Sequence, residues 1–296
     1  MPLGIYPTVD YVFKRLFGDP ANADLLIHLL NAVLRPAVPI VAVTIENPFL
    51  EKEWEEDKLS VLDILATDEA GRKFNVEMQT TVPFDLPERL VYYASNLLAS
   101  QLGEAEPYAD LCPVISICFL TGALFPHLSA PHLRFSMADL ENGVTLTEVL
   151  QVHLIELIKY NLQDEQISQA GGLEKWSFFL RYASFLEADE LRHLLPESPF
   201  RKATGILEMI SQSPEQRLLH EARLKAQRDR ASAADYAERS RQLGREEGEL
   251  VGEIKLLQKL CGEPVFDDEK LATLRIADLR TIAAQLRTQF DQQRRE

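Results

Sequence analysis

The sequence predicts a mixed α/β protein with a helical extension and a long tail helix. Three observations carry this. Helix and strand periodicities alternate over residues 8–125, in the order helix, helix, three strands, helix, strand. Residues 114–120 form a nearly continuous apolar run of strand length, which reads as a buried strand. From Pro214 onward the texture changes to Ala, Glu, Arg and Gln with few large apolar residues, which suits a long solvent-exposed helix. These shifts divide the chain into a core (1–145), a mostly helical extension with one strand (146–213) and a tail of a long helix plus a small helical cap (214–296).

In the core, Thr8 is placed to cap a helix carrying Tyr11, Phe13, Leu16 and Phe17, which Asp19-Pro20 ends. Asn22 is placed to cap a second, where Leu25, Leu26, Leu29, Leu30 and Val33 form one stripe that Pro36 and Pro39 close. Strands are expected at 41–45, 59–67 and 73–80, the last two separated by Asp68-Glu69-Ala70-Gly71. A helix over 86–102 presents Leu90, Tyr93, Leu97 and Leu98. In the extension, one strand signal (152–158) precedes helical stretches near 173–185, 189–195 and 203–210. In the tail, Gly244, Gly248 and Gly252 recur every four residues. Glycine costs about 1 kcal/mol per helical site, so the repeat marks either close helix–helix approach or a frayed helix. Residues 267–290 read as one or two short amphipathic helices with Leu271, Leu274, Ile276, Leu279, Ile282 and Leu286 on one face.

The chain has 296 residues, 46 % of them apolar, with 31 Lys and Arg against 46 Asp and Glu, a net charge of −15. That composition excludes a wholly disordered chain, and no apolar run is long enough to span a membrane. No charged-then-apolar leader opens the sequence. The three cysteines (Cys112, Cys118, Cys261) make neither a disulfide framework nor a CxxC pair. The expectation is a cytoplasmic protein with reduced thiols. The acidic balance lowers the expectation of tight nucleic-acid binding, since that affinity comes from Lys and Arg neutralising phosphates. Binding is local, however, and residues 221–245 hold seven basic against four acidic side chains, a local +3.

Chemistry concentrates on the hairpin. With Glu69-Ala70-Gly71 as a three-residue loop and Gly71 as its left-handed residue, Asp68 faces Arg72 and opposed residue numbers sum to 140. Asp63 then lies opposite Glu77 and Val61 opposite Gln79, while Leu62, Ile64, Ala66, Phe74, Val76 and Met78 make a wholly apolar second face. A slip of one residue would mix the two sets. Opposed carboxylates have Cβ atoms about 4.5–5.5 Å apart. Their repulsion is relieved by a retained proton or by a cation between them. All-oxygen ligation with open positions suits Mg²⁺ or Mn²⁺ rather than zinc. Asp57, Glu56 and Glu53 lie upstream as further ligand candidates, and Gln79 shares the face as a group that could orient a water. The plainer alternative is two solvent-exposed carboxylates on the open side of a hairpin. The six histidines show no metal-ligand spacing and read as structural.

Several segments, taken in order, resemble one family. They are Pro7-Thr8-Val9-Asp10-Tyr11-Val12-Phe13-Lys14-Arg15-Leu16-Phe17-Gly18, Asp57-Lys58-Leu59-Ser60-Val61-Leu62-Asp63-Ile64, Asn75-Val76-Glu77-Met78-Gln79 and Arg89-Leu90-Val91-Tyr92-Tyr93. Weaker matches continue through Glu156-Leu157-Ile158-Lys159-Tyr160 to the Gly244-Arg245-Glu246-Glu247-Gly248 repeat. Over residues 6–250 the chain resembles the Rpn family of recombination-promoting nucleases and transposases, within the PD-(D/E)XK nuclease superfamily. The resemblance implies a restriction-endonuclease-like core, a mixed central sheet flanked by helices. Asp63 takes the motif's aspartate and Glu77 its acidic position, and Gln79 stands where the motif's lysine would be. The resemblance implies that glutamine is common at this position in the branch; it removes a cation, and Lys58 and Lys73 are the candidates to replace it. Arg89 and Tyr93, four apart on one helix face, sit where related nucleases line the site, with core packing the alternative for Tyr93. Asp10 and Lys14 lie near the site or form a surface ion pair. Arg72 joins Lys73 at the hairpin tip.

The reading that follows is a Mg²⁺- or Mn²⁺-dependent DNA endonuclease, linked to recombination or mobile elements. Asp63, Glu77 and Gln79 are its catalytic residues. The alternative is an assembly protein of weak catalysis. DNA is the expected partner, no membrane is involved, and a homodimer through the C-terminal helices is expected.

Overall fold

The computed structural model describes residues 1–46, 64–103, 105–162 and 164–293. The chain opens with α1 (Asp10–Phe17), whose Tyr11, Val12, Phe13, Leu16 and Phe17 are all buried. Val9 rather than Thr8 holds the cap position, and no side chain caps the helix. The Asp10 carboxylate instead accepts the N–H of Tyr11 at 2.7 Å. In α2 (Ala23–Leu34), Leu25, Leu26, Leu29, Leu30 and Val33 are buried, as their spacing requires. Asn22 stands at the cap position but makes no capping bond. Its amide donates to the Arg15 carbonyl at 3.0 Å and ties α2 to α1, which a capping geometry would forbid. Arg35 ends α2 in the left-handed region, φ 46°.

Among the described residues six strands follow: β1 (Val43–Ile45), β2 (Ile64–Asp68), β3 (Lys73–Gln79), β4 (Val114–Leu120), β5 (His132–Asp139) and β6 (Val144–Glu156), with α3 (Leu86–Ala99) between β3 and β4. They form one mixed sheet in the order β1-β2-β3-β4-β6-β5. β2 and β3 pair antiparallel with Ile64 opposite Val76, Leu65 opposite Asn75, Ala66 opposite Phe74 and Thr67 opposite Lys73, so the numbers sum to 140. The loop is closed by Gly71 at φ 75°, with its N–H on the Asp68 carbonyl and the Asp68 N–H on the Arg72 carbonyl. β3, β4 and β6 run parallel, and β4 is buried along all seven residues.

β5 carries no strand signal in the sequence, because it is the sheet edge and most of its side chains are exposed. β6 begins at Val144, eight residues before the apolar stretch that marked it, because only its second half is buried. Their ladder jumps from Ser136–Gln151 to Met137–Thr147, so the extra residues bulge from β6 while β5 stays regular.

The rest of the chain is helical: α4 (Asp164–Ile167), α5 (Gly172–Tyr182), α6 (Ala188–Leu194), α7 (Ser198–Gln212), α8 (Pro214–Cys261), α9 (Asp268–Ala272) and α10 (Ile276–Gln293). Buried side chains of α1, α2, α5 and α7 join Phe74, Val76, Ile117 and Phe119 of the sheet in the main core. Trp176 is fully buried there, with ring centroids 4.5 Å from Phe200 and 5.1 Å from Phe17. Leu86 and Leu90 of α3 make a second cluster with Cys118, Leu120, Val152 and Leu154.

Two compact units result, Met1–Arg228 and Asp229–Glu296. Within the second, Leu271, Leu279, Ala283 and Leu286 pack on Ile254 and Leu257. Arg280 pairs with Glu246 and Arg287 with Glu253. Both partners advance by seven, so α10 runs parallel to α8 with heptad-spaced ion pairs beside an apolar seam. Nothing lies within 4 Å of a Cβ built on Gly244, Gly248 or Gly252. Within this chain the repeat is therefore an exposed stripe and makes no close helix contact. Among the described residues no helix is long and apolar enough to cross a membrane.

Candidate active site on strand β3

Alternation along β3 sends Phe74, Val76 and Met78 into the main core and Asn75, Glu77 and Gln79 to the opposite face. The second face is not open to water as a lone hairpin's would be. β4 flanks it, with Ser116 beside Asn75, Cys118 beside Glu77 and Leu120 beside Gln79. Glu77 is only 1 % exposed, which removes the solvent-exposed alternative for this carboxylate.

A buried carboxylate must be hydrogen-bonded or paired. Asn75 Nδ2 donates to Glu77 Oε1 at 2.6 Å and Gln79 Nε2 to Oε2 at 3.3 Å. Burial pushes the Glu77 carboxyl above its ordinary range, against the two carboxamide hydrogen bonds and the positive charge of Arg89. Glu77 is thus held in place by neutral donors that do not fully stabilise its charge. A divalent cation fits that imbalance, and the oxygen-only donor set suits a hard ion. Among the described residues no group of three or more His, Cys, Asp or Glu side chains could hold a metal, so Glu77 needs ligands from elsewhere. Asp57, Lys58 and Asp63 lie outside the described residues.

The remaining sequence candidates separate. Arg89, half-buried on α3, acts electrostatically on Glu77. Tyr93 is half-buried and lies edge-on to Tyr92, 5.5 Å between centroids. Arg72 is committed to Asp68 at 2.7 Å, over the Phe74 ring. Lys73 is committed to Glu46 at 2.9 Å. Neither basic residue at the hairpin tip is hydrogen-bonded or ion-paired to Glu77. The Asp10 carboxylate serves the Tyr11 N–H, and the Lys14 carbonyl accepts the N–H of Gly18. In the basic stretch of α8, Arg239 pairs with Asp235 and Arg245 with Glu249, and Arg228 lies over the Tyr6 ring. Two of its seven basic side chains are therefore held in ion pairs.

Sequence reasoning gave Asn75 no role, and it passed over Ser116. The available signal was the hydroxyl interrupting the apolar run of β4. It also missed that His132 Nε2 and His153 Nδ1 meet at 2.9 Å between β5 and β6. Their spacing of 21 residues follows no local motif.

A mixed sheet with helices on both faces, and a buried carboxylate on an inner strand next to an antiparallel hairpin partner, is the restriction-endonuclease-like α/β fold. The chain belongs to the family described as PD-(D/E)XK nuclease family transposase, whose model matches residues 7–237. No curated protein and no solved structure matches the chain. Nucleases of this superfamily generally use divalent metal ions.

Proposed function

We propose that the protein is a metal-dependent DNA endonuclease, with Mg²⁺ or Mn²⁺ held by Glu77 and Asp63. The observation that supports it best is the buried, carboxamide-held Glu77 on β3, whose ladder with β2 runs from Ile64–Val76 to Thr67–Lys73 in the register the sequence predicts. A cation bound there lowers the pKa of a water and stabilises negative charge on the scissile phosphate. Glu77 presents a carboxylate oxygen whose direction is set by Asn75. Gln79, half-exposed at the end of β3, orients the attacking water through its carboxamide. Arg89 contributes positive charge on the helix side of the site, where the motif's lysine is absent. Asp10, Lys14 and Tyr93 are the proposed substrate-side residues, and Asp57 and Lys58 stay candidates outside the described residues. With Arg72 and Lys73 held by acidic partners, DNA engagement depends on metal and weakens with salt.

The test is nicking of supercoiled plasmid by the purified full chain with Mg²⁺ or Mn²⁺. Wild type cuts, while Asp63→Ala and Glu77→Ala do not, with far-UV circular dichroism unchanged. Equal cutting by the variants, or none by wild type under either metal, removes the reading.

A homodimer through the C-terminal helices is the accompanying proposal. It is favoured by the open space over Gly244, Gly248 and Gly252. Gly248→Leu would shift a dimer to monomer in sedimentation velocity. A monomeric wild type would refute it.

A further inference from the structure

Two buried oxygens on the face of Glu77 have no hydrogen-bond partner: Oδ1 of Asn75 and Oγ of Ser116. Both residues are fully buried. They are register partners across the parallel β3–β4 ladder, so they stand side by side on one face of the sheet. The Asn75 carboxamide cannot satisfy its own oxygen by turning over. Its Nδ2 already donates to Glu77 Oε1 at 2.6 Å, and a flipped amide would set two acceptor oxygens against each other. The Asn75 oxygen is therefore aimed away from Glu77, and no side chain answers it.

We propose that Asn75 Oδ1 and Ser116 Oγ hold one internal water molecule between β3 and β4, and that this water makes Asn75 a positioning residue for Glu77. Orphaned buried polar atoms are rare, and an internal water with two to four polar partners is the usual remedy. One water donates a hydrogen bond to the carboxamide oxygen and makes a second with the hydroxyl. Anchored at its oxygen, the carboxamide loses its freedom to rotate. Its N–H then fixes Oε1 of Glu77 and leaves Oε2 toward the Gln79 side. Partners of this kind behind a metal ligand commonly alter metal affinity by about 10–100-fold. The functional half rests on reading Glu77 as a metal ligand, and the water itself does not.

The experiment uses the full chain, melted without metal and titrated with Mn²⁺ by calorimetry. Two variants change the hydroxyl, Ser116→Ala and Ser116→Thr, and Asn75→Ala removes the carboxamide. With the water present, Ser116→Ala lowers the melting temperature, because the water loses a partner. Ser116→Thr keeps the hydroxyl and restores Mn²⁺ affinity. Asn75→Ala weakens Mn²⁺ binding by about tenfold or more. If the oxygens are bare, Ser116→Ala relieves an unpaired hydroxyl and raises the melting temperature, and that result overturns the proposal. A crystal structure without density for a water between the two oxygens also overturns it. Failure of the metal reading looks different. There, Glu77→Ala leaves Mn²⁺ binding unchanged while Ser116→Ala still lowers the melting temperature.

Discussion

Trp176 donates its indole N–H to Nδ1 of His28 at 2.9 Å, across 148 residues of sequence. The bond joins α5 to α2, with Trp176 fully buried and His28 half-buried, and fixes His28 as a neutral imidazole with its proton on Nε2. Trp176→Phe keeps an aromatic ring but leaves that nitrogen without a donor. The expected loss is about 1–3 kcal/mol, read from the urea unfolding midpoint. Adding His28→Leu to Trp176→Phe should recover part of it, since no buried acceptor then remains.

Acid should unfold the protein through its histidines. His28, His132, His153 and His220 all have pKa values below the ordinary 6.5, with burial the largest cause in each. All four are neutral when folded and take up protons more readily when unfolded. Their stabilisation is therefore complete above pH 6.5 and is lost as pH falls toward about 4, the value of His153. His220 offers a clean check, because its Nε2 accepts the backbone N–H of Tyr6 at 3.1 Å. Facing it are the Tyr6 ring on the N-terminal segment and Arg217, Glu221 and Arg228 on its own helix. His220→Gln retains an acceptor that does not titrate, and should flatten the fall in melting temperature between pH 6.5 and pH 5.

Gly71 is required twice over. Its φ is 75°, and a Cβ there would stand 2.7 Å from Cys112 Sγ. Gly71→Ala should cost at least about 1 kcal/mol. Cys112→Ala in the same chain removes the collision but not the backbone strain. A double-mutant cycle by thermal melting should thus show a positive coupling with a residual penalty.

Glu77→Gln should make the protein more stable and inactive at once. A buried carboxylate with an elevated pKa is a burden on folding, and the neutral amide of the same shape removes the charge. Calorimetry in metal-free buffer should show a higher melting temperature, and the plasmid assay no cutting. A lower melting temperature would mean that the ionised carboxylate is better stabilised in the folded protein than Asn75, Gln79 and Arg89 account for.

The hairpin was legible because its two faces differ completely. Alternation plus one obligatory glycine admits a single register, and the observed ladder from Ile64–Val76 to Thr67–Lys73 has it. The long tail helix was legible from its lack of large apolar side chains. Edge strand β5 was not, since an exposed strand carries no hydrophobic period. The burial of Glu77 was not legible either. It depends on β4 and α3 covering a face that looks polar in the hairpin alone. The pairing of Arg72 with Asp68 follows from the hairpin register, whereas Lys73 looked available to the site because Glu46 meets it only in three dimensions. Thr8 and Asn22 have capping chemistry, but Thr8 lies one residue before the cap position and Asn22 gives its amide to the Arg15 carbonyl.

The opening helices find their partners far along the chain. Leu3 and Gly4 donate to the carbonyls of Leu186 and Ser184, α2 packs on α5 and α7, and Trp176 reaches back to His28. On the ribosome, strands β1 to β4 emerge before α5 and α7 exist to complete the cover over α1 and α2. The core closes only when α7 has been synthesised, at Gln212. A message broken before that point yields a sticky fragment with Phe17 and Leu29 bare. Closure of the main core therefore waits until nearly three quarters of the 296 residues have been made.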